Sequence, residues 1–168
     1  MIFTIGHSNH APEKFLDLLA GAGITAVADV RSVPHSRWTP QFNKDALAAA
    51  LGGKAIAYVY LGHALGGRPK DKALLNNGKP DYGAIARSDL FGAGIARVLE
   101  GAKTHRIALM CAERDPLDCH RFLLIARHLA RNRHPVAHIL AAGEEESHAD
   151  TERRFSARKG EPDLFDIR

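Results

Sequence analysis

Two periods alternate along this chain. Five short runs, "IFTIG" (2–6), "AVADV" (26–30), "AIAYVYL" (55–61), "RIALMC" (106–111) and "VAHIL" (136–140), are almost continuously apolar or β-branched. That pattern suits parallel strands covered on both faces better than half-exposed antiparallel ones. Between them, "APEKFLDLLAGAG", "NKDALAAALGG", "SDLFGAGIARVLEG" and "PLDCHRFLLIARHLARN" carry helical spacing, the first two ending in glycine. The alternation predicts an α/β fold: a single three-layer sandwich around a mainly parallel five-stranded sheet, Rossmann-like or flavodoxin-like, joined by right-handed crossovers. A strand order of 3-2-1-4-5 is expected, with the first and fourth strands flanking the ligand crevice.

The pattern weakens at both long connections. Residues 62–81, "GHALGGRPKDKALLNNGKPD", are rich in Gly, Pro, Asn and Lys, a composition that fits a lid or binding loop and equally a mobile connection. After residue 142 the apolar content falls and both charges mix. The chain is therefore read as an α/β core domain over 1–142 and a charged C-terminal helix and tail over 143–168.

Composition narrows the function classes. A chain of 168 residues that is 45% hydrophobic suits one domain. The N-terminus has neither a basic leader nor a long apolar stretch, and no later run approaches the roughly 20 residues of a membrane span. Two cysteines, Cys111 and Cys119, are too few for a disulfide framework and suit a reducing compartment. A cytoplasmic protein with no membrane partner is expected. The net charge is only +4, but from Arg31 to Lys72 seven Lys or Arg face two Asp. Such a surface attracts phosphates, nucleic acid or acidic small molecules, unless it is simply solvated loop.

In open α/β sheets ligands bind outside the carboxyl ends of the strands, and the unusual residues fall there repeatedly. The first strand runs into His7, Ser8 and Asn9, the second into Asp29 and Arg31, and the fourth into Cys111, Glu113 and Arg114. Asp115 followed by Pro116 reads as a helix N-cap with proline at the first helical position, and Asp118 puts a carboxylate in the first turn. Capping leaves Cys111 unexplained. It stands at a strand end before a helix N-terminus with Arg114 nearby, a setting that favours thiolate, while Glu113 opposes it. It reads as a candidate nucleophile or as an inert buried thiol.

Cys119, on the edge of the stripe through Phe122 and Leu129, is expected to pack in the core. His120 and Arg121 lie one turn into the helix, within reach of the crevice only if that end projects toward it. A zinc site from Cys111, Cys119 and His120 is disfavoured, because neighbouring helical residues do not face one point and a fourth ligand is missing. In "DVRSVPHSRWTPQF" (29–42), Arg31 and Arg37 offer forked donors to a phosphate or carboxylate, and Trp38 offers a face for a base or sugar, unless it covers the core with Arg37 stacked on it. His7, Ser8 and Asn9 read as a site or as a helix cap. Neither G-x-G-x-x-G nor G-x-x-x-x-G-K-[ST] is present, and no cofactor or metal is expected. Leu117 stands where a phosphatase-like loop starting at Cys111 would need arginine.

Taken together, "FTIGHSN", "DVRSVPHSR", "YLGHALGG" and "LMCAERDPLDCHR" resemble the bacterial and archaeal family known as domain of unknown function 488, in that family's order and over residues 3–121. The resemblance implies a compact α/β domain whose shared site is formed by the motif residues, here His7, Ser8, Asn9, Asp29, Arg31, Arg37, Cys111, Glu113, Cys119, His120 and Arg121. It implies no reaction. The reading is a small enzyme acting by hydrolysis or group transfer on an anionic, nucleotide-like or phosphate-bearing molecule. Arg31 and Arg37 hold the anion, His7 acts as acid or base beside Asp29 or Glu113, and Cys111 is the candidate nucleophile. Ser8, Asn9, Trp38, Arg114, His120 and Arg121 complete the binding set. The rival is a ligand or nucleic-acid binding module using the basic 31–72 region. A third reading gives the "DLFDIR" tail to a protein partner. Oligomeric state is left open.

Overall fold

The computed structural model describes residues 1–160. Five apolar runs form the strands β1 (Ile2–Gly6), β2 (Ala26–Asp29), β3 (Ala57–Tyr60), β6 (Ile107–Cys111) and β7 (Val136–Ile139), while β4 (Leu75–Asn76) and β5 (Lys79–Pro80) make a separate hairpin. A sixth strand of the main sheet, β8 (Glu145–Ser147), runs antiparallel to β7. The helices are α1 (Pro12–Gly21), α2 (Lys44–Gly52), α3 (Gly62–Leu65), α4 (Tyr82–Ala86), α5 (Asp89–Gly101), α6 (Arg127–Arg131) and α7 (His148–Lys159).

The sheet order is β3-β2-β6-β1-β7-β8. The expected order of 3-2-1-4-5 is thus corrected: the fourth run inserts between the first and second. The result matches neither the Rossmann order, 3-2-1-4-5-6, nor the flavodoxin order, 2-1-3-4-5. β6 and β1, the two central strands, are buried at every residue, each with a paired neighbour on either side. The long connection from β3 lets β6 cross back over β2 to the centre.

Alternation along the strands sorts two cores. Phe3, Ile5, Val27, Ala108 and Met110 pack under α1 and α2 through Phe15, Leu19, Leu47 and Leu51. On the opposite face Ile2, Ala28, Leu109 and Cys111 meet Phe91, Ile95 and Val98 of α5 and Leu124, Ile125 and Leu129 of the helix that follows β6. Burying one such side chain contributes on the order of 1.5–3 kcal/mol. The architecture is a three-layer α/β sandwich around a mostly parallel sheet.

Two local departures shape the site. The 62–81 connection carries α3 and the hairpin, whose two-residue turn places Asn77 and Gly78 at φ 50 and 75, the Asn-Gly chemistry of a type I′ turn. The second departure is the helix expected from Pro116, which is broken. Asp115 does accept a hydrogen bond from the Leu117 N–H, but Pro116–Asp118 is one 3₁₀ turn and Cys119 is extended at φ −131, ψ 143. Helix resumes at His120 through a π-helical segment, Arg121–Ala126, into α6. Cys119 is the cap of that second start: its carbonyl accepts from the N–H groups of Phe122 and Leu123, and its sulfur from that of Arg121 at 3.4 Å.

Residues 145–154 engage the sheet and the turn at Asp115. Ser147 caps α7 by accepting from the Asp150 N–H, and Arg154 bridges Asp115 and Glu146. "DLFDIR" lies outside the described residues. No helix among the described residues is long and apolar enough to cross a membrane.

Candidate functional site

β1 and β6 are neighbours whose following segments leave for opposite faces of the sheet, which opens a crevice at their carboxyl ends. Their pairing continues past the strands: the His7 N–H donates to the Cys111 carbonyl and the Ser8 N–H to that of Ala112, both at 2.9 Å. This close crossing requires Gly6, because a Cβ there would lie 1.8 Å from the Glu113 carbonyl oxygen. The crevice opens into a cleft of about 820 Å³ whose wall includes His7, Arg31, Arg68, Cys111, Glu113 and His120. His7 and Cys111 are therefore side by side, as adjacent strand ends rather than across a gap.

One wall is a closed polar network. The Arg31 guanidinium forks onto Asp29, Nε to Oδ1 at 2.9 Å and Nη2 to Oδ2 at 2.7 Å. Nη2 also donates to the Phe42 carbonyl, and Nη1 to Nε2 of His7. Tyr58 donates its hydroxyl to Asp29. His7 donates from Nδ1 to the Ser8 carbonyl at 2.7 Å, so its partners dictate the tautomer and occupy both ring nitrogens. Burial lowers the His7 pKa to about 4, against the opposing pull of the Ser8 carbonyl, and the Arg31 charge lowers it further. The sequence-derived acid or base beside a carboxylate is thus a neutral imidazole bonded to no carboxylate. The Arg31 fork expected to hold an anion is turned onto Asp29.

The other wall is a cluster of sulfur, imidazole and carboxylate. Cys111 Sγ–H donates to Glu113 Oε2 at 2.9 Å. His120 donates from Nε2 to the Val30 carbonyl at 3.0 Å, which leaves the Nδ1 lone pair facing both sulfurs, 3.7 Å from Cys111 Sγ and 3.8 Å from Cys119 Sγ. The three atoms lie within 4.8 Å of one another. The neighbouring Cys119 sulfur, then burial and Glu113, push the Cys111 thiol well up. Burial works the same way on Cys119 but is outweighed by Cys111, His120 and the Arg121 charge, so that thiol is brought down. Glu113 reaches solvent; desolvation works to raise its carboxyl, but hydrogen bonds from the two thiols hold it below the ordinary value. The more acidic thiol is therefore Cys119, only 2% exposed, while Cys111, which lines the cleft, is the less acidic one.

The remaining sequence candidates are placed elsewhere. Arg121 is fully buried and donates to the carbonyls of Glu113 at 2.6 Å and Arg114 at 3.1 Å, so it pins the loop and does not reach the cleft. Trp38 is 78% exposed with the Arg37 guanidinium 4.5 Å above its ring, so it neither covers the core nor lines the cleft. Ser8 bonds to the exposed Asn9, and Arg114 points to solvent.

Cys119, which the family resemblance places in the shared site, was assigned to core packing by helical spacing, because an unbroken helix was assumed. Sequence reasoning missed Gly67 and Arg68 of the "LGGR" loop. A Cβ on Gly67 would meet the His120 ring at 2.7 Å, so that loop lies directly over the imidazole.

A family profile described as "Domain of unknown function DUF488" matches residues 11–128. The chain belongs to the DUF488 family. The match runs from the start of α1 into α6 and includes Asp29, Arg31, Cys111, Glu113, Cys119 and His120 of this DUF488 domain, while β1 and His7 precede it. No curated protein and no solved structure matches the chain.

Proposed function

We propose that this DUF488 domain is a small enzyme that carries out hydrolysis or group transfer on an anionic molecule bound in the cleft at the carboxyl ends of β1, β2 and β6. The carrying observation is the convergence of Cys111, Glu113 and His120 on one wall of a cleft of about 820 Å³, a volume within the range that small-molecule sites occupy. Two cleft residues are cations: Arg31, with four N–H donors engaged inside the protein, and the exposed Arg68 from the loop over His120. Arg68 is the one with no ion pair among the described residues. In this reading Arg68 meets the anion, Glu113 moves the proton, and His7 and Asp29 hold the Arg31 wall in place. Arg37 and Trp38, outside the cleft, favour the rival reading of a nucleic-acid surface, since an exposed aromatic with a stacked guanidinium is a base-stacking platform.

The test is a thermal-shift screen of the wild type and Glu113→Gln against nucleotides, nucleobases, phosphorylated metabolites and short oligonucleotides at low and high salt. A true ligand at about 100 times its dissociation constant adds roughly 2.7 kcal/mol. The expected result is a salt-tolerant shift from one small-molecule class. Turnover of that class is expected to fall by about 10²–10⁴ in Glu113→Gln. A shift from oligonucleotides alone that salt abolishes transfers the function to the basic surface, and no shift from any class overturns the reading.

A further inference from the structure

We propose that Cys111, Cys119 and His120 bind a zinc ion at the wall of the cleft, with Glu113 beside it. The inference rests on the reading of this cleft as the reactive site and goes beyond it by naming the ion that does the chemistry. Sequence spacing disfavoured such a site because consecutive helical residues diverge. The structure removes that objection: Cys119 is extended and precedes the helix, so its sulfur and the His120 ring turn toward the same point.

The geometry is that of a coordination shell. Zinc–sulfur and zinc–nitrogen bonds of about 2.3 and 2.0–2.1 Å at a tetrahedral angle imply sulfur–nitrogen edges of about 3.6 Å. The two edges here are 3.7 and 3.8 Å, and all three ligand atoms fall within 4.8 Å of one another. His120 is oriented as metal-binding histidines are, its second ring nitrogen donating to a main-chain carbonyl, Val30, so that the lone pair of Nδ1 faces the sulfurs. Gly67 brings main chain against the same ring. Two thiolates and an imidazole select zinc over magnesium or calcium, which take oxygen ligands.

Three protein ligands are the set of a catalytic rather than a structural zinc. Cys111, His120 and Glu113 all line the cleft, so an ion held here is reached by a cleft-bound substrate. Zinc binding would displace the Sγ proton that Cys111 donates to Glu113 Oε2, and the carboxylate freed beside the cluster would be the group that takes a proton from a zinc-bound water. The hydroxide adds to the electrophilic centre, the leaving group departs with the proton that Glu113 returns, and one water is added across one bond. In this scheme the sulfurs stay ligands and form no covalent intermediate.

The test uses the full chain, purified without added chelator from cells grown with zinc, and read by elemental analysis, thiol alkylation and cobalt substitution. The expected results are one zinc per chain and thiols that resist alkylation until zinc is removed. Cobalt protein should show the visible bands of a tetrahedral ion with sulfur-to-cobalt charge transfer. Cys119→Ser and His120→Asn should each weaken zinc binding by more than about tenfold. The cobalt spectrum of the wild type keeps the test decisive should either variant fail to fold. Folded wild type that takes up neither ion at stoichiometry, or that isolates with a Cys111–Cys119 disulfide, overturns the proposal. If metal is absent while the ligand shift and Glu113-dependent turnover persist, zinc fails and the enzyme reading stands. If zinc binds but no ligand class shifts the protein, the enzyme reading fails and zinc stands as a structural site.

Discussion

Arg31 and Asp29 are joined by two parallel hydrogen bonds in the protein interior, at 2.9 and 2.7 Å, with side-chain exposures of 6% and 0%. The pair is only two residues apart in the chain, yet its remaining partners come from the residue after β1, from β3 and from the 3₁₀ turn before α2: His7, Tyr58 and Phe42. It ties three connections together beneath the cleft. Arg31→Ala leaves a buried carboxylate without its cation and is expected to lower stability by about 3–5 kcal/mol. Chemical denaturation should show a lower midpoint at unchanged slope. A loss under 1 kcal/mol would mean that the pair is not the brace described here.

Gly6 and Gly21 make a matched test of backbone approach. Gly6→Ala pushes a methyl group into the Glu113 carbonyl, 1.8 Å away, so the 113–114 loop must move. A loss of about 1–3 kcal/mol is expected, together with faster alkylation of Cys111. Gly21→Ala, at the end of α1, meets nothing within 4 Å and is expected to stabilise by about 0.5–1 kcal/mol. Equal effects at the two sites would sink the close-crossing account.

Arg121 carries a buried charge whose side-chain acceptors are two main-chain carbonyls. Arg121→Met keeps much of the volume but strands the carbonyls of Glu113 and Arg114, and charge-assisted hydrogen bonds of this kind are worth about 1.5–3 kcal/mol each. A comparable loss of stability is expected, with Glu113 amide exchange accelerated more than that of the β7 amides. Unchanged exchange at Glu113 would show that the loop is held by other contacts.

His138 is the clearest acid-sensitive group. It is buried beside Thr4, 2.7 Å from Nδ1, and His148, 3.3 Å from Nε2. Burial lowers its pKa from 6.5 to about 3, with further lowering by His148 and Arg121. The unfolded chain therefore binds the extra proton first as pH falls. Its contribution is fully present above about pH 6.5 and drains away between there and about pH 3, which amounts to roughly 2 kcal/mol by pH 5. Thermal melts between pH 8 and 5 should show this decline together with a similar one from His7, and His138→Gln should make the combined decline shallower by about half. An equally steep decline in the variant would assign the acid sensitivity to other groups.

The five apolar strands and the longer helices were legible because they follow from local periodicity, whereas the polar sixth strand β8 and the β4-β5 hairpin, which carry no such period, were not. "IALMC" reads as a doubly covered strand wherever it sits, and "APEKFLDLLAGAG" as a helix stopped by glycine. Strand order was not legible: the 62–106 connection allows more than one return path, and no local period selects among equally buried strands. The placement of the candidate residues was legible as a set of strand ends, since His7, Asp29, Arg31, Cys111 and Glu113 all fall there. The partners those residues choose were not. Arg31 reads as a free fork until Asp29 is seen to occupy it.

The break at Cys119 shows the division most clearly. Sequence alone determined that an Asp-Pro turn opens near residue 115 and that an amphipathic helix follows, because capping and helical spacing are properties of a few neighbouring residues. Only the tertiary structure decided that the helix starts twice and that Cys119 caps the second start, directing its sulfur to Cys111 on β6 and to His120. Those contacts depend on the β6 strand end, the Val30 carbonyl beyond β2 and the Gly67 loop meeting at one point. No spacing within a single segment encodes a meeting of separate segments.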